Sequence, residues 1–78
     1  MKKKTLGSVL KDRREFLRLT QRELAAKLGV KASHVAYLEN GRRLPSLGLL
    51  VRLAEELKIC PSKLALQAFP ILAELGMK

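Results

Sequence analysis

The sequence has few of the residues on which disulfide-stabilised domains and enzymes depend. Its 78 residues include one cysteine, one histidine and no tryptophan. A single cysteine excludes a disulfide within the chain and fits a reducing compartment. No paired carboxylates, nucleophile with its base, or set of metal ligands can be recognised at a suitable spacing. We therefore expect neither an enzyme nor a cofactor.

Long apolar runs are also missing. No stretch approaches the roughly 20 apolar residues of a transmembrane helix, and the first 15 residues are too charged to contain the apolar region of a secretory signal. We expect one small soluble domain in the cytoplasm, with no membrane partner. The aromatic residues are only Phe16, Tyr37 and Phe69, which disfavours RNA recognition by base stacking.

Positive charge, in contrast, is abundant. Sixteen basic residues against seven acidic ones give a net charge of +9. The part of the chain up to Arg43 holds 12 basic and 4 acidic residues, so it carries +8 of that charge. Such a concentration favours nucleic acid as the partner. A solubilising basic start and a cationic helix at a membrane surface are the alternatives.

Residues 21–40 predict two short helices with a tight turn between them. Thr20 and Glu23 have the spacing of a capping box at the start of the first helix. Gly29 follows that helix at a position that favours left-handed backbone angles, and Asn40 with Gly41 ends the second helix. The apolar stripes are Leu24, Ala25 and Leu28 in the first helix and Val35 and Leu38 in the second.

A helix, a short turn containing glycine and a second helix form the helix-turn-helix pattern. At this point the sequence resembles the Cro/Xre-type family of phage-repressor-like helix-turn-helix domains. The matching residues are Thr20-Gln21, Leu24-Ala25, Leu28-Gly29-Val30, Val35, Leu38-Glu39-Asn40-Gly41, Arg42, Pro45, Ser46, Leu50, Leu53-Ala54 and Leu57. The resemblance, which spans roughly residues 6–66, implies an all-α fold, a compact five-helix bundle. It also implies double-stranded DNA as partner.

The periodicity and the resemblance together divide the chain into three parts. Residues 1–4 are a basic arm, residues 5–68 the DNA-binding domain and residues 69–78 an apolar tail. Helices are expected near residues 5–17, 21–28, 32–40 and 46–57, and a fifth begins around Pro61. The side chains expected to face the core from the last two helices are Leu47, Leu50, Val51, Ala54, Leu57, Leu64, Ala65 and Ala68. Cys60 is expected to be a small buried hydrophobe.

The resemblance also assigns contacts to DNA. Phosphate contacts are expected from Thr20, Gln21, Arg22, Lys31, Asn40, Arg42 and Arg43. Base reading is expected from Ala32, Ser33 and Tyr37, and from His34 unless it contacts a phosphate or is an exposed bystander. Ala32 offers a methyl group, Ser33 a hydroxyl, and Tyr37 a ring and a hydroxyl. Because the helix has no glutamine or arginine, recognition of DNA shape is an alternative to base reading.

Two further assignments concern how the helices are held. By resemblance, Arg14 pairs with Glu39 and fixes the first helix to the recognition helix. The alternative is a surface arginine near a phosphate. Gln21 lies at a helix N-terminus, which favours a phosphate oxygen, and family members use this residue to support the recognition helix. A polar residue of the capping turn is the other interpretation.

The function that we expect from the sequence is that of a sequence-specific transcriptional regulator. It would be a dimeric repressor that reads a palindromic operator through the major groove. The alternative is an antitoxin-like or partner-binding protein with autoregulatory DNA binding. The apolar tail would form the homodimer contact, fold back on the domain or hold a protein partner.

Overall fold

The computed structural model describes residues 5–69, which form five α-helices and no strand. The helices are α1 (Leu6–Phe16), α2 (Gln21–Leu28), α3 (Ala32–Glu39), α4 (Leu47–Leu57) and α5 (Pro61–Ala68). The predicted all-α five-helix architecture is confirmed. The basic arm at residues 1–4 and the tail beyond Phe69 lie outside the described residues, so the proposed division of the chain stays a prediction.

The helix boundaries follow from local sequence. The Thr20 hydroxyl accepts a hydrogen bond from the backbone N–H of Glu23 at 3.0 Å, and Glu23 Oε1 accepts one from the N–H of Thr20 at 2.8 Å. This is the predicted capping box. The bond from the Thr20 backbone also lowers the pKa of Glu23. At the other end of α2, Gly29 has a φ of 73°, the left-handed conformation that its position requires.

One apolar core joins all five helices. The side chains that are almost completely buried are Leu10, Leu24, Val35, Leu38, Leu50, Leu53, Leu57 and Leu64. Ala65 and Ala68 of α5 are also buried, as expected. The core lies behind α2 and α3, so it fixes the angle at which these two helices meet.

The core face of α4 was predicted incorrectly at two positions. Leu47 and Val51 are 65% and 42% exposed, whereas Leu53 is buried. Successive residues of an α-helix are about 100° apart, so a face that contains Leu50, Leu53 and Leu57 excludes Val51. Leu47 lies at the edge of that face in the first turn of the helix.

Cys60 is the third correction, because it is exposed rather than buried. It is the residue before Pro61, in the turn that precedes α5, and its side chain does not cap the helix. Its Sγ lies 3.1 Å from the Ser62 hydroxyl. That hydrogen bond, followed by backbone N–H groups of the same turn, lowers the pKa of the Cys60 thiol.

Gly7 allows α1 to approach the end of α3 closely. It is buried, and a Cβ atom at this position would collide with the backbone carbonyl of Glu39. The absence of a side chain therefore sets the distance between the two helices. This contact brings α1 to the end of the helix that the sequence predicts to enter DNA.

Candidate nucleic-acid interface

The helix-turn-helix unit consists of α2, the turn at residues 29–31 and α3. Val35 and Leu38 are each 1% exposed and attach α3 to the core. Ser33 and Tyr37 are exposed on the same helix, and His34 is half-buried. Ala32 is also half-buried and packs against the core, so its methyl group is less accessible than the sequence suggested.

A shallow cleft lies along the exposed side of α3. It has a volume of about 200 Å³ and is lined by Lys31, Ser33, His34, Tyr37 and Arg43. The Arg43 guanidinium lies over the Tyr37 ring, with Cζ 5.9 Å from the ring centroid, a geometry in which cation and ring attract each other. The structure thus brings together three residues predicted to read bases and two predicted to bind phosphate.

The other predicted phosphate contacts lie at the two ends of the unit. Thr20, Arg22, Asn40 and Arg42 are exposed, and Gln21 is half-buried. Thr20, Gln21 and Arg22 form the N-terminus of α2, where backbone N–H groups and the helix dipole favour an anion. Asn40 and Arg42 follow α3, in a loop that turns at Gly41, where φ is positive.

Arg14 and Glu39, the predicted ion pair, lie in contact. Arg14 Nε and Nη2 donate to the two carboxylate oxygens of Glu39 at 2.7 and 3.1 Å. The two side chains are only 10% and 3% exposed. The hydrogen bond to Glu39 is the main reason why the pKa of Arg14 is raised. A third Arg14 nitrogen donates to the carbonyl of Leu19 at 2.7 Å.

Gln21 completes this network from α2. Its Nε2 donates to Glu39 Oε1 at 3.0 Å. The Glu39 carboxylate of α3 therefore accepts hydrogen bonds from both α1 and α2. The side-chain amide thus supports the recognition helix directly. The backbone N–H of Gln21 is part of the first turn of α2, where it can still face a phosphate.

Sequence reasoning missed two arginines that cap helices other than their own. Arg13 Nε donates to the carbonyl of Leu57 at 2.8 Å, at the end of α4. Arg52 donates to the carbonyls of Lys27 and Leu28 at 2.8 and 3.2 Å, at the end of α2. Such contacts satisfy carbonyls that a helix end leaves free. Because the partners are 24 to 44 residues apart, no local pattern reveals them.

Two arginines of the basic half of the chain are engaged within the domain. Arg13 and Arg14 belong to the basic half of the chain, yet their guanidinium groups bind Leu57 and Glu39. The cations that surround α3 are instead Lys31, Arg42 and Arg43. Within residues 5–69 no helix is long and apolar enough to span a membrane. The same part of the chain contains no group of three histidine, cysteine or acidic side chains that could hold a metal ion.

Fold and surface together define a helix-turn-helix domain. The helix-turn-helix family pattern matches residues 10–64, well over half of the chain. The chain therefore belongs to this family, and the predicted Cro/Xre-type membership is confirmed. Members of the family are DNA-binding transcription regulators rather than enzymes, as the sequence led us to expect.

Sequence relatives include a phage protein and a bacterial protein. The ImmF control region 10 kDa protein of Bacillus phage phi105 is 43% identical over 51 residues, which cover 65% of this chain and 57% of the phage protein. The uncharacterized HTH-type transcriptional regulator y4dL of Sinorhizobium fredii is 39% identical over 59 residues, 70% of this chain and 30% of that protein. The chain thus spans less than two thirds of either relative.

Solved structures show the same arrangement of helices. The P22 c2 repressor, crystallised with a synthetic operator, has a TM-score of 0.76 at 24% identity, over 80% of this chain and 94% of the repressor. The restriction-modification controller protein C.AhdI from Aeromonas hydrophila has a TM-score of 0.70 at 36% identity, over 76% and 86%. The predicted phage-repressor-like fold is confirmed.

Proposed function

We propose that this protein is a transcriptional repressor that binds a double-stranded DNA operator and reads it through the major groove. The observation that carries the proposal is the exposed side of α3, where Ser33 and Tyr37 lie beside Lys31 and Arg43. An eight-residue helix is about 12 Å long, and a major groove admits a helix of that size. Regulatory relatives and the positive charge near α3 support the same conclusion.

Phosphate contacts would fix the orientation of the domain before any base is read. The N-terminus of α2, with Gln21 and Arg22, lies near the C-terminal end of α3, because Gln21 binds Glu39. The loop with Asn40 and Arg42 follows that same end. Phosphate contacts there would hold one end of α3, and Lys31, which precedes the helix, would contact a phosphate at the other end. The Glu39 carboxylate would keep that orientation constant, because it joins α1, α2 and α3 through hydrogen bonds.

We further propose that two copies bind a palindromic operator, with half-sites about 10 bp apart. Leu47 and Val51 are one helical turn apart on the same side of α4, and Leu44 precedes them in the chain. All three are large apolar side chains with exposures of 65%, 42% and 65% for Leu47, Val51 and Leu44. Exposed apolar side chains that are neighbours on a helix, as Leu47 and Val51 are, favour a protein interface. The role of the tail at residues 69–78, and the cytoplasmic location, stay predictions.

The first experiment is the selection of binding sites from random duplex DNA, at low and at physiological salt. We expect a palindromic site that is bound ~10³-fold or more above random sequence. Tyr37→Ala should weaken binding to that site by ~1–3 kcal/mol and leave binding to random DNA almost unchanged. Phe16→Ala, the matched change of another exposed aromatic, should affect neither.

The same experiment can contradict the proposal. If binding is sensitive to salt but no motif is enriched, the recognition helix acts as a general anchor, and the partner-binding alternative gains support. If Tyr37→Ala weakens both kinds of DNA equally, Tyr37 does not read bases.

Sedimentation of the wild-type chain tests the dimer separately. We expect Leu47→Ser with Val51→Ser to shift a dimer toward monomer, and removal of residues 69–78 to show whether the tail contributes. A wild-type chain that stays monomeric on its own and on the selected site would refute the dimer.

A further inference from the structure

The cleft beside α3 is lined by hydrogen-bond donors. Lys31 and Arg43 can only donate, and the hydroxyls of Ser33 and Tyr37 and the imidazole of His34 can donate as well as accept. Among residues 5–69, no carboxylate and no side-chain amide lines the cleft. A group that fits this surface must therefore offer acceptors.

The structure distinguishes the two neighbouring arginines of the loop after α3. Arg43 lines the cleft and lies over the Tyr37 ring, 5.9 Å from its centroid, whereas Arg42 does not line the cleft. Contact with the ring reduces the number of conformations that the Arg43 side chain samples. It also keeps the guanidinium beside the two exposed residues of α3 that face a major groove in the proposed complex.

The four bases differ in what they present in the major groove. Guanine presents two acceptors, N7 and O6, whereas adenine pairs an acceptor with a donor. Cytosine presents a donor, and thymine an acceptor with a methyl group. A surface of donors complements guanine best, and the planar guanidinium fork can bind both guanine acceptors at once.

We propose that Arg43, positioned over the Tyr37 ring, is a specificity-determining residue that reads a guanine in each half-site of the operator. The inference rests on the proposed function and replaces the phosphate contact that the sequence assigned to Arg43. Arg42 keeps that role, because it is exposed in the same loop and lies outside the cleft. The rival source of acceptors is a backbone phosphate, and the experiment distinguishes the two.

The test compares the affinities of four proteins for the selected operator and for copies in which single guanines are replaced by 7-deazaguanine. This base pairs normally but lacks the N7 acceptor. We expect one guanine per half-site whose replacement weakens wild-type binding by about 2- to 12-fold, since O6 remains and only one of the two hydrogen bonds is lost. Arg43→Ala should bind the unmodified operator with a larger loss, about 5- to 150-fold, and should not respond to that replacement.

Arg42→Ala is the matched control. It should weaken binding to all duplexes, keep the response to 7-deazaguanine and lower the slope of log affinity against log salt by about one. Arg43→Lys keeps the charge without the planar fork, so it should retain affinity for random DNA and lose the preference for guanine. Circular dichroism should show that all variants are folded, since both arginines are exposed in a loop.

Three results would overturn the inference. Arg43→Ala could behave like Arg42→Ala, which would assign Arg43 to a phosphate. An enriched operator could contain no guanine whose modification matters, which would remove the guanine contact but leave the proposed function in place. Absence of any specific DNA binding would refute both proposals together.

Discussion

The Arg14–Glu39 pair offers the most direct test of how α3 is held. The two side chains are 10% and 3% exposed, and the Glu39 carboxylate accepts three hydrogen bonds, two from Arg14 and one from Gln21. Replacing either residue by alanine leaves its partner as a buried charge without its main counter-charge. Breaking a buried pair in this way costs about 3–5 kcal/mol.

That loss would be large for this domain. Proteins of this size have unfolding free energies of roughly 4–12 kcal/mol, from about 0.05–0.15 kcal/mol per residue. We expect Glu39→Ala and Arg14→Ala each to lower the urea midpoint strongly. Glu39→Gln should cost less, because the amide keeps the shape and one acceptor. Glu55→Ala, an exposed change on α4, should stay within about 0.5 kcal/mol of wild type.

The variant that carries both Arg14→Ala and Glu39→Ala measures the coupling energy between the two residues. Because the pair is buried, the double variant should lose less free energy of unfolding than the sum of the two single losses. We expect a coupling energy of about 2 kcal/mol or more. The coupling should change little between low and high salt, because buried charges are screened weakly. Additive effects below about 1 kcal/mol each would refute this reasoning and describe an ordinary surface ion pair.

Three other features can be tested by further substitutions. Gly7→Ala should destabilise the domain by ~1–3 kcal/mol in urea unfolding, because its Cβ meets the backbone at the end of α3. Gly48→Ala, the matched helical glycine with open space around it, should instead stabilise by ~0.5 kcal/mol, and equal effects would contradict the close approach. The lowered pKa of Glu23 stabilises the fold above the ordinary glutamate pKa. This contribution disappears as the pH falls through the lowered value, so wild type should lose more stability on acidification than Glu23→Gln. Cys60 should react with iodoacetamide in the native state, and Ser62→Ala should slow that reaction at neutral pH, because loss of the hydroxyl raises the thiol pKa toward its ordinary value; an unchanged rate would exclude the hydrogen bond as the cause.

Local sequence signals were sufficient to predict the helix-turn-helix unit. The capping box of Thr20 and Glu23, the glycine at position 29 and the buried Val35 and Leu38 are all as expected. Each of these features depends on residues within one or two helical turns. Short-range rules therefore describe them well.

The errors lie where an outcome depends on other parts of the chain. An apolar period alone could not decide which side of α4 is covered, so Leu47 and Val51 were misplaced. Cysteine is often buried, but the turn before α5 leaves Cys60 exposed. The Arg43–Tyr37 contact depends on how the loop after α3 turns back, which no sequence spacing specifies.

The arginines that cap distant helices also affect how the domain folds. The last carbonyls of α2 and α4 receive donors from Arg52 and Arg13, which lie in α4 and α1. The last carbonyls of α2 receive these hydrogen bonds only after α4 has packed against it, and those of α4 only after α1 has done so. Isolated segments of eight or eleven residues are in any case too short to be stable helices in water. Helix formation and helix assembly are thereby coupled, so the domain should fold and unfold in a single cooperative transition, without stable partly helical fragments.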